Sequence, residues 1–149
     1  METSCAPYFT ESAASFWLIA HQVSQRSESE RLRNILAGFS PGWIRAVREA
    51  FDLGGEQLES LFNASLSTLE RRQRQQQALG PVASERLDRI AQVATHALQT
   101  FATPERASRW LTTVNATLGG QAPLHLCETE IGARQVRRVM AALQHGAGA

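Results

Sequence analysis

The residues able to do acid–base or metal chemistry are scattered along this chain. Its four His stand at positions 21, 96, 125 and 145, and its two Cys at 5 and 127. No Ser, Cys or carboxylate falls at a spacing that makes a catalytic pair with any of these histidines, so no catalytic residue is assigned and no enzyme is expected. His125 and Cys127 form an HxC triplet, but two ligands are too few for a structural zinc site, and neither metal nor cofactor is expected. The chemistry that the sequence does concentrate is that of the guanidinium. All 15 basic residues are Arg, set against 14 acids for a net charge of +1. A guanidinium forks onto carboxylates, phosphates and guanine edges. With no global field to draw in a polyanion, any nucleic-acid contact must come from a local arrangement. Two such arrangements stand out: Arg71, Arg72 and Arg74 follow the hydroxyl-rich run Ser65-Leu66-Ser67-Thr68, and Arg134, Arg137 and Arg138 sit near the C-terminus.

The elements that position these groups are helices. At 149 residues and 43% apolar, the chain can build one compact domain or two small ones. Apolar residues recur with helical spacing and no segment alternates as a strand would, so the fold class is all-α. The longest apolar run, Phe16 to Ala20, is far short of the roughly 20 residues a membrane span needs. The acidic start, Met1-Glu2, lacks the basic head of a secretory signal, so a cytoplasmic protein without membrane contact or disulfide is expected. Residues 1–27 contain one short helical pattern around Phe16, Trp17, Ile19, Ala20 and Val23. Residues 28–78 read as four helices. The first puts Leu32, Ile35 and Leu36 on one face, and after the Gly38 to Pro41 turn the second carries Trp43, Ile44, Val47 and Phe51. The third runs from Glu56 to Phe62, and the last starts at Leu66. Residues 79–149 form the third part, opened by Gly80-Pro81. Ser84 is the expected cap of a long helix with a Leu87-Ile90-Ala94-Leu98-Phe101 stripe. Thr103-Pro104 then caps a short one, and Thr129 starts the last, with Val136, Val139, Met140 and Leu143 inward. Gly132, in that helix's first turn, predicts close approach of another backbone.

Spacing around Asn63 is informative. A helix-turn-helix needs an abrupt stop on a residue tolerant of positive φ, and Asn is the best substitute for Gly. Ser65 then caps the next helix, whose first turn offers small polar groups to base edges or phosphates. The segment Leu58 to Arg72 resembles the Xre-type helix-turn-helix, whose second helix carries Thr, an apolar residue and then basic residues. It departs at Glu59, where a small residue is usual. The DNA-binding residues expected on this reading are Ser65, Ser67, Thr68, Arg71 and Arg72. Residues 1–78 hold eight Arg against nine acids, so this part is not basic overall, and binding is expected to depend on a homodimer across a two-fold operator.

In the second half, Ala107, Trp110-Leu111, Asn115, Leu118-Gly119-Gly120, Pro123-Leu124, Leu126, Thr129, Gly132-Ala133, Val136, Leu143 and Gly146 resemble, in order, the toxin-binding domain of Xre/MbcA/ParS antitoxins. Together the two resemblances imply an Xre-like helix-turn-helix bundle at 28–78 followed by a small helical toxin-binding domain at 79–149. They imply an antitoxin of a type II system that neutralises a RES-domain toxin, one that consumes NAD or transfers ADP-ribose, and represses its own operon at operator DNA. Gly119, Gly120, Arg134, Arg137, Arg138, His145 and Gly146 are the expected toxin-binding residues, with the last helix and the tail covering the toxin's nucleotide pocket. The other reading is a stand-alone helix-turn-helix regulator whose C-terminal half dimerises or senses a ligand.

Overall fold

The computed structural model describes residues 13–146; Cys5 and the tail beyond Gly146 lie outside the described residues. Among them are nine α-helices and no strand, in agreement with the all-α expectation. The helices are α1 (Ala13–Ser24), α2 (Glu28–Ala37), α3 (Gly42–Phe51), α4 (Gly55–Phe62), α5 (Leu66–Gln75), α6 (Pro81–Phe101), α7 (Pro104–Thr112), α8 (Pro123–Leu126) and α9 (Glu130–Gln144). No helix among the described residues is long and apolar enough to cross a membrane.

The architecture is organised by α6, whose 21 residues extend about 32 Å. It packs against α1, α2 and α4 on the N-terminal side and against α7 and α9 on the C-terminal side. Its buried residues lie nearly all round its circumference, as expected of a helix in the middle of a core. Helix α1 docks on the core: Phe16 is fully buried and meets Trp17, Trp43 and Phe51 edge to face, with ring centroids 5.3–5.9 Å apart. Such edge-to-face pairs add modestly to the stabilisation already gained by burying these rings.

Three expectations need correction. Ser84 does not cap α6, which starts three residues earlier at Pro81 with Gly80 as the flanking residue. Proline at the first helical position is pre-set for that start. Ser84 is instead buried inside the helix, where its hydroxyl accepts the Phe39 N–H (3.0 Å) and donates to the Leu79 carbonyl (3.3 Å). The Leu79 N–H in turn donates to the Phe39 carbonyl at 2.9 Å, so the α2–α3 turn is stitched to the start of α6. The second correction concerns α2. Leu32 and Leu36 are 57% and 67% exposed, and the side chains turned inward are Arg31, Asn34 and Ile35. The inward stripe is rotated by one residue because Arg31 forks onto the buried carboxylate of Asp88 on α6, with contacts of 2.7, 3.1 and 3.3 Å. A buried, hydrogen-bonded ion pair fixes the rotation of a helix more strictly than two leucines able to face solvent. The third is Leu143, expected inward but 42% exposed near the end of α9, where Val136 and Met140 are buried and Val139 half-buried, as the pattern predicts.

Candidate functional site

The turn between α4 and α5 is assembled from local hydrogen bonds. Asn63 takes the left-handed conformation (φ 51°, ψ 48°) that the helix stop predicts. Ser65 caps α5, its hydroxyl accepting the Thr68 N–H at 3.2 Å. Glu59, the departure from the usual pattern, supplies what a small residue would not. Its carboxylate accepts the Leu66 N–H at 2.8 Å, satisfying a free donor of the α5 N-terminus and placing a negative charge at the positive end of the helix dipole. Leu58, Phe62 and Leu69, the apolar positions expected to fix the angle between the two helices, are buried in the core, and Leu66 is partly buried against it. Arg86 on α6 then donates to the Ser60 and Leu61 carbonyls (3.3 and 2.9 Å), closing the C-terminal end of α4 and fixing the pair to the core.

The five residues expected to meet DNA divide by what else they touch. Ser65 and Thr68 are bonded to each other, the Ser65 hydroxyl donating to Thr68 Oγ1 at 2.8 Å, and Ser67 stands 3.3 Å from Ser65 Oγ. Ser67 and Arg71 lie on the exposed face of α5. Arg72 is turned away, its guanidinium donating to the Ala78 carbonyl at 2.6 Å and thereby closing the chain between α5 and α6. Glu70 and Arg74 complete the exposed face with Ser67 and Arg71. Arg74, part of the arginine arrangement in the sequence but not among the five expected residues, shares this face by its i, i+3, i+4, i+7 spacing from Ser67.

The C-terminal residues are brought together by α9. Thr129 caps it, accepting the Gly132 N–H at 2.9 Å. A Cβ on Gly132 would collide with the carbonyl oxygen of Leu126, so the close backbone approach predicted there is present. Gly119 and Gly120 hold φ of +70° and +79° in a turn closed by a bridge between Asn115 and Gln121. Nothing lies within 4 Å of where their side chains would start, so conformation alone accounts for both glycines. Glu130 gathers arginines: Arg137 at 3.2 Å, Arg89 at 3.7 Å and Arg134 at 3.8 Å. Arg89 is nearly buried, is held also by Glu85 at 2.8 Å, and donates to the Cys127 carbonyl at 2.9 Å. Arg137 therefore belongs to a paired network between α6 and α9. Arg138 is exposed and has no ion pair among the described residues. Ile131, 67% exposed, lies on the same face of α9 as Arg134 and Arg138. His145 and Gly146 follow at its exposed end, Gly146 with φ +90°.

The histidines do not converge. His96 Nε2 is 2.8 Å from Gln144 Oε1, a link between α6 and the end of α9, and His125 Nδ1 is 2.9 Å from Glu128 Oε2. Cys127 is fully buried, and burial pushes its thiol up to about 12, far from a reactive thiolate. Among the described residues no group of three or more His, Cys, Asp or Glu is placed to hold a metal ion.

Comparison with family models matches residues 26–92 to the antitoxin Xre-like helix-turn-helix domain and residues 96–146 to the antitoxin Xre/MbcA/ParS C-terminal toxin-binding domain. The two matches leave out only 93–95 and the termini, and they meet within α6, the helix that packs against both sides. No curated protein matches the chain. With a capped helix-turn-helix on one side of α6 and the toxin-binding helices on the other, the chain belongs to the Xre-type antitoxins.

Proposed function

We propose that this chain is the cytoplasmic antitoxin of a two-gene pair, that it neutralises a RES-domain toxin by direct binding, and that as a homodimer it represses its own operon. The observation that carries the reading is that one chain bears two separate candidate surfaces. One is the face of α5 with Ser67 and Arg71; the other is the face of α9 with Ile131, Arg134 and Arg138. An exposed isoleucine flanked by arginines suits a partner that offers an apolar contact rimmed by carboxylates. On this reading Gly119, Gly120, His145 and Gly146 also meet the toxin.

Co-expression with the adjacent RES-domain gene tests it. The chain should rescue growth and copurify with the toxin. A variant ending at Gln144, which keeps the Gln144–His96 contact, should lose neutralisation if the tail covers the nucleotide pocket. Full neutralisation by that variant removes the tail from the account. Harmless expression of the neighbour, with no copurification, favours the stand-alone regulator.

A further inference from the structure

Beside the exposed face of α5, a cleft of about 750 Å³ runs between α5 and α3. Arg45 and Arg48 stand one turn apart on the α3 side, and Arg74 faces the cleft from α5. All three are exposed, and none makes an ion pair among the described residues, although Glu49 and Glu70 line the same cleft. The charged cleft between α2, α6 and α9 is built differently. There Arg31, Arg89 and Arg137 are each held by a carboxylate. The α3–α5 arginines thus stand ready for an external anion without first breaking a pair.

Arg74 and Glu70 belong both to the cleft and to the exposed face of α5 that carries Ser67 and Arg71, so cleft and face are one continuous surface. We propose that this cleft is a second DNA contact, in which the phosphate strand bordering the groove entered by α5 crosses between α3 and α5 and is held by Arg45, Arg48 and Arg74. The proposal rests on the DNA-binding reading above and extends it to α3. It also answers the charge problem of residues 1–78, which carry no basic surplus. The lining holds three arginines against two glutamates, so positive charge is concentrated where phosphates would pass. Phosphate contacts of this kind set register and affinity and read no sequence.

The test is fluorescence anisotropy across about 50–200 mM salt with two duplexes of equal length, one taken from immediately upstream of the coding sequence and one scrambled. R45Q/R48Q should lower the salt slope by about 1.8 on both duplexes, so that the gap to wild type closes by about 12-fold across that range while the preference between duplexes is kept. Glu49→Gln should bind both duplexes more tightly than wild type. A slope unchanged in R45Q/R48Q while Arg71→Ala lowers it would overturn the cleft and leave α5 as the reader. Wild type that binds neither duplex would overturn both. If R45Q/R48Q fails to fold, unchanged affinity in Glu49→Gln overturns the proposal by itself.

Discussion

Removing the Arg31 side chain should uncouple α2 from the core at a cost that the geometry lets one work out. The Asp88 side chain is 7% exposed and Arg31 27%, and the pair is bridged by three contacts, the shortest 2.7 Å. A carboxylate left alone at that depth loses its counter-charge and two donors. Stripping one partner from a buried pair costs about 3–5 kcal/mol, and the partial exposure of Arg31, which lets water reach the orphan, argues for the lower end, about 3 kcal/mol. Asp88→Asn keeps an acceptor for the guanidinium and should cost about half as much. Arg31→Leu with Asp88→Leu removes both charges and replaces them with apolar contacts, so the double variant should regain most of the loss. Urea denaturation of the wild type, Arg31→Leu, Asp88→Leu and the double closes the cycle, with a coupling of about 3 kcal/mol expected. A loss below about 0.5 kcal/mol in Arg31→Ala would place the pair with ordinary surface bridges and refute the claim that it sets the rotation of α2.

Four further outcomes follow from other parts of the molecule. Gly132→Ala should cost about 3 kcal/mol and loosen α8 from α9, because the new Cβ meets backbone rather than a movable side chain; a melting temperature equal to wild type would contradict the close approach. In a Cys5→Ser background Cys127 should resist thiol reagents at pH 8, since with its pKa near 12 only about one thiol in ten thousand is ionised, and it should label only on unfolding. Because folding raises this pKa from 9.0, its contribution to stability is complete below pH 9 and declines as pH rises toward 12, a dependence that Cys127→Ala should remove. Arg71→Ala should lower the salt slope of DNA binding by about 0.9 without changing stability, whereas Arg72→Ala should destabilise by about 1 kcal/mol through loss of the Ala78 contact; equal behaviour of the two variants would mean the face of α5 is misassigned.

What could be read in the sequence was whatever is encoded within a few residues. Asn63, Ser65, Thr103 and Thr129 announced helix ends through turn and cap chemistry, and each sits where its side chain or φ requires. Gly132 announced a neighbour without naming it. The failures share another cause: the deciding partner lay far along the chain. Leu32 and Leu36 looked inward because apolar spacing cannot show that Asp88, 57 residues after Arg31, outweighs them. Ser84 looked like a cap because its partners are Phe39 and Leu79. Arg71 and Arg72 were equivalent by type and neighbouring by position, yet the 100° between successive helical residues turns one to solvent and the other onto the Ala78 carbonyl. Glu59 looked like a defect until its carboxylate was seen on the Leu66 N–H seven residues away. In the candidate sites, residue types were legible and pairing was not. Of the three arginines near the C-terminus, two meet Glu130 and only Arg138 is left without an ion pair.

Silencing of a toxin by direct binding is what we propose for this chain. The deciding assay follows NAD loss catalysed by the proposed partner, a purified RES-domain protein encoded beside this chain, titrated with the full-length chain and run in parallel by size-exclusion chromatography. NAD consumption should fall to background at a fixed stoichiometric ratio, with both proteins in one peak, and Ile131→Asp with Arg138→Glu should shift the end point to higher concentration. Undiminished turnover at excess chain, with the two proteins eluting apart, would contradict it.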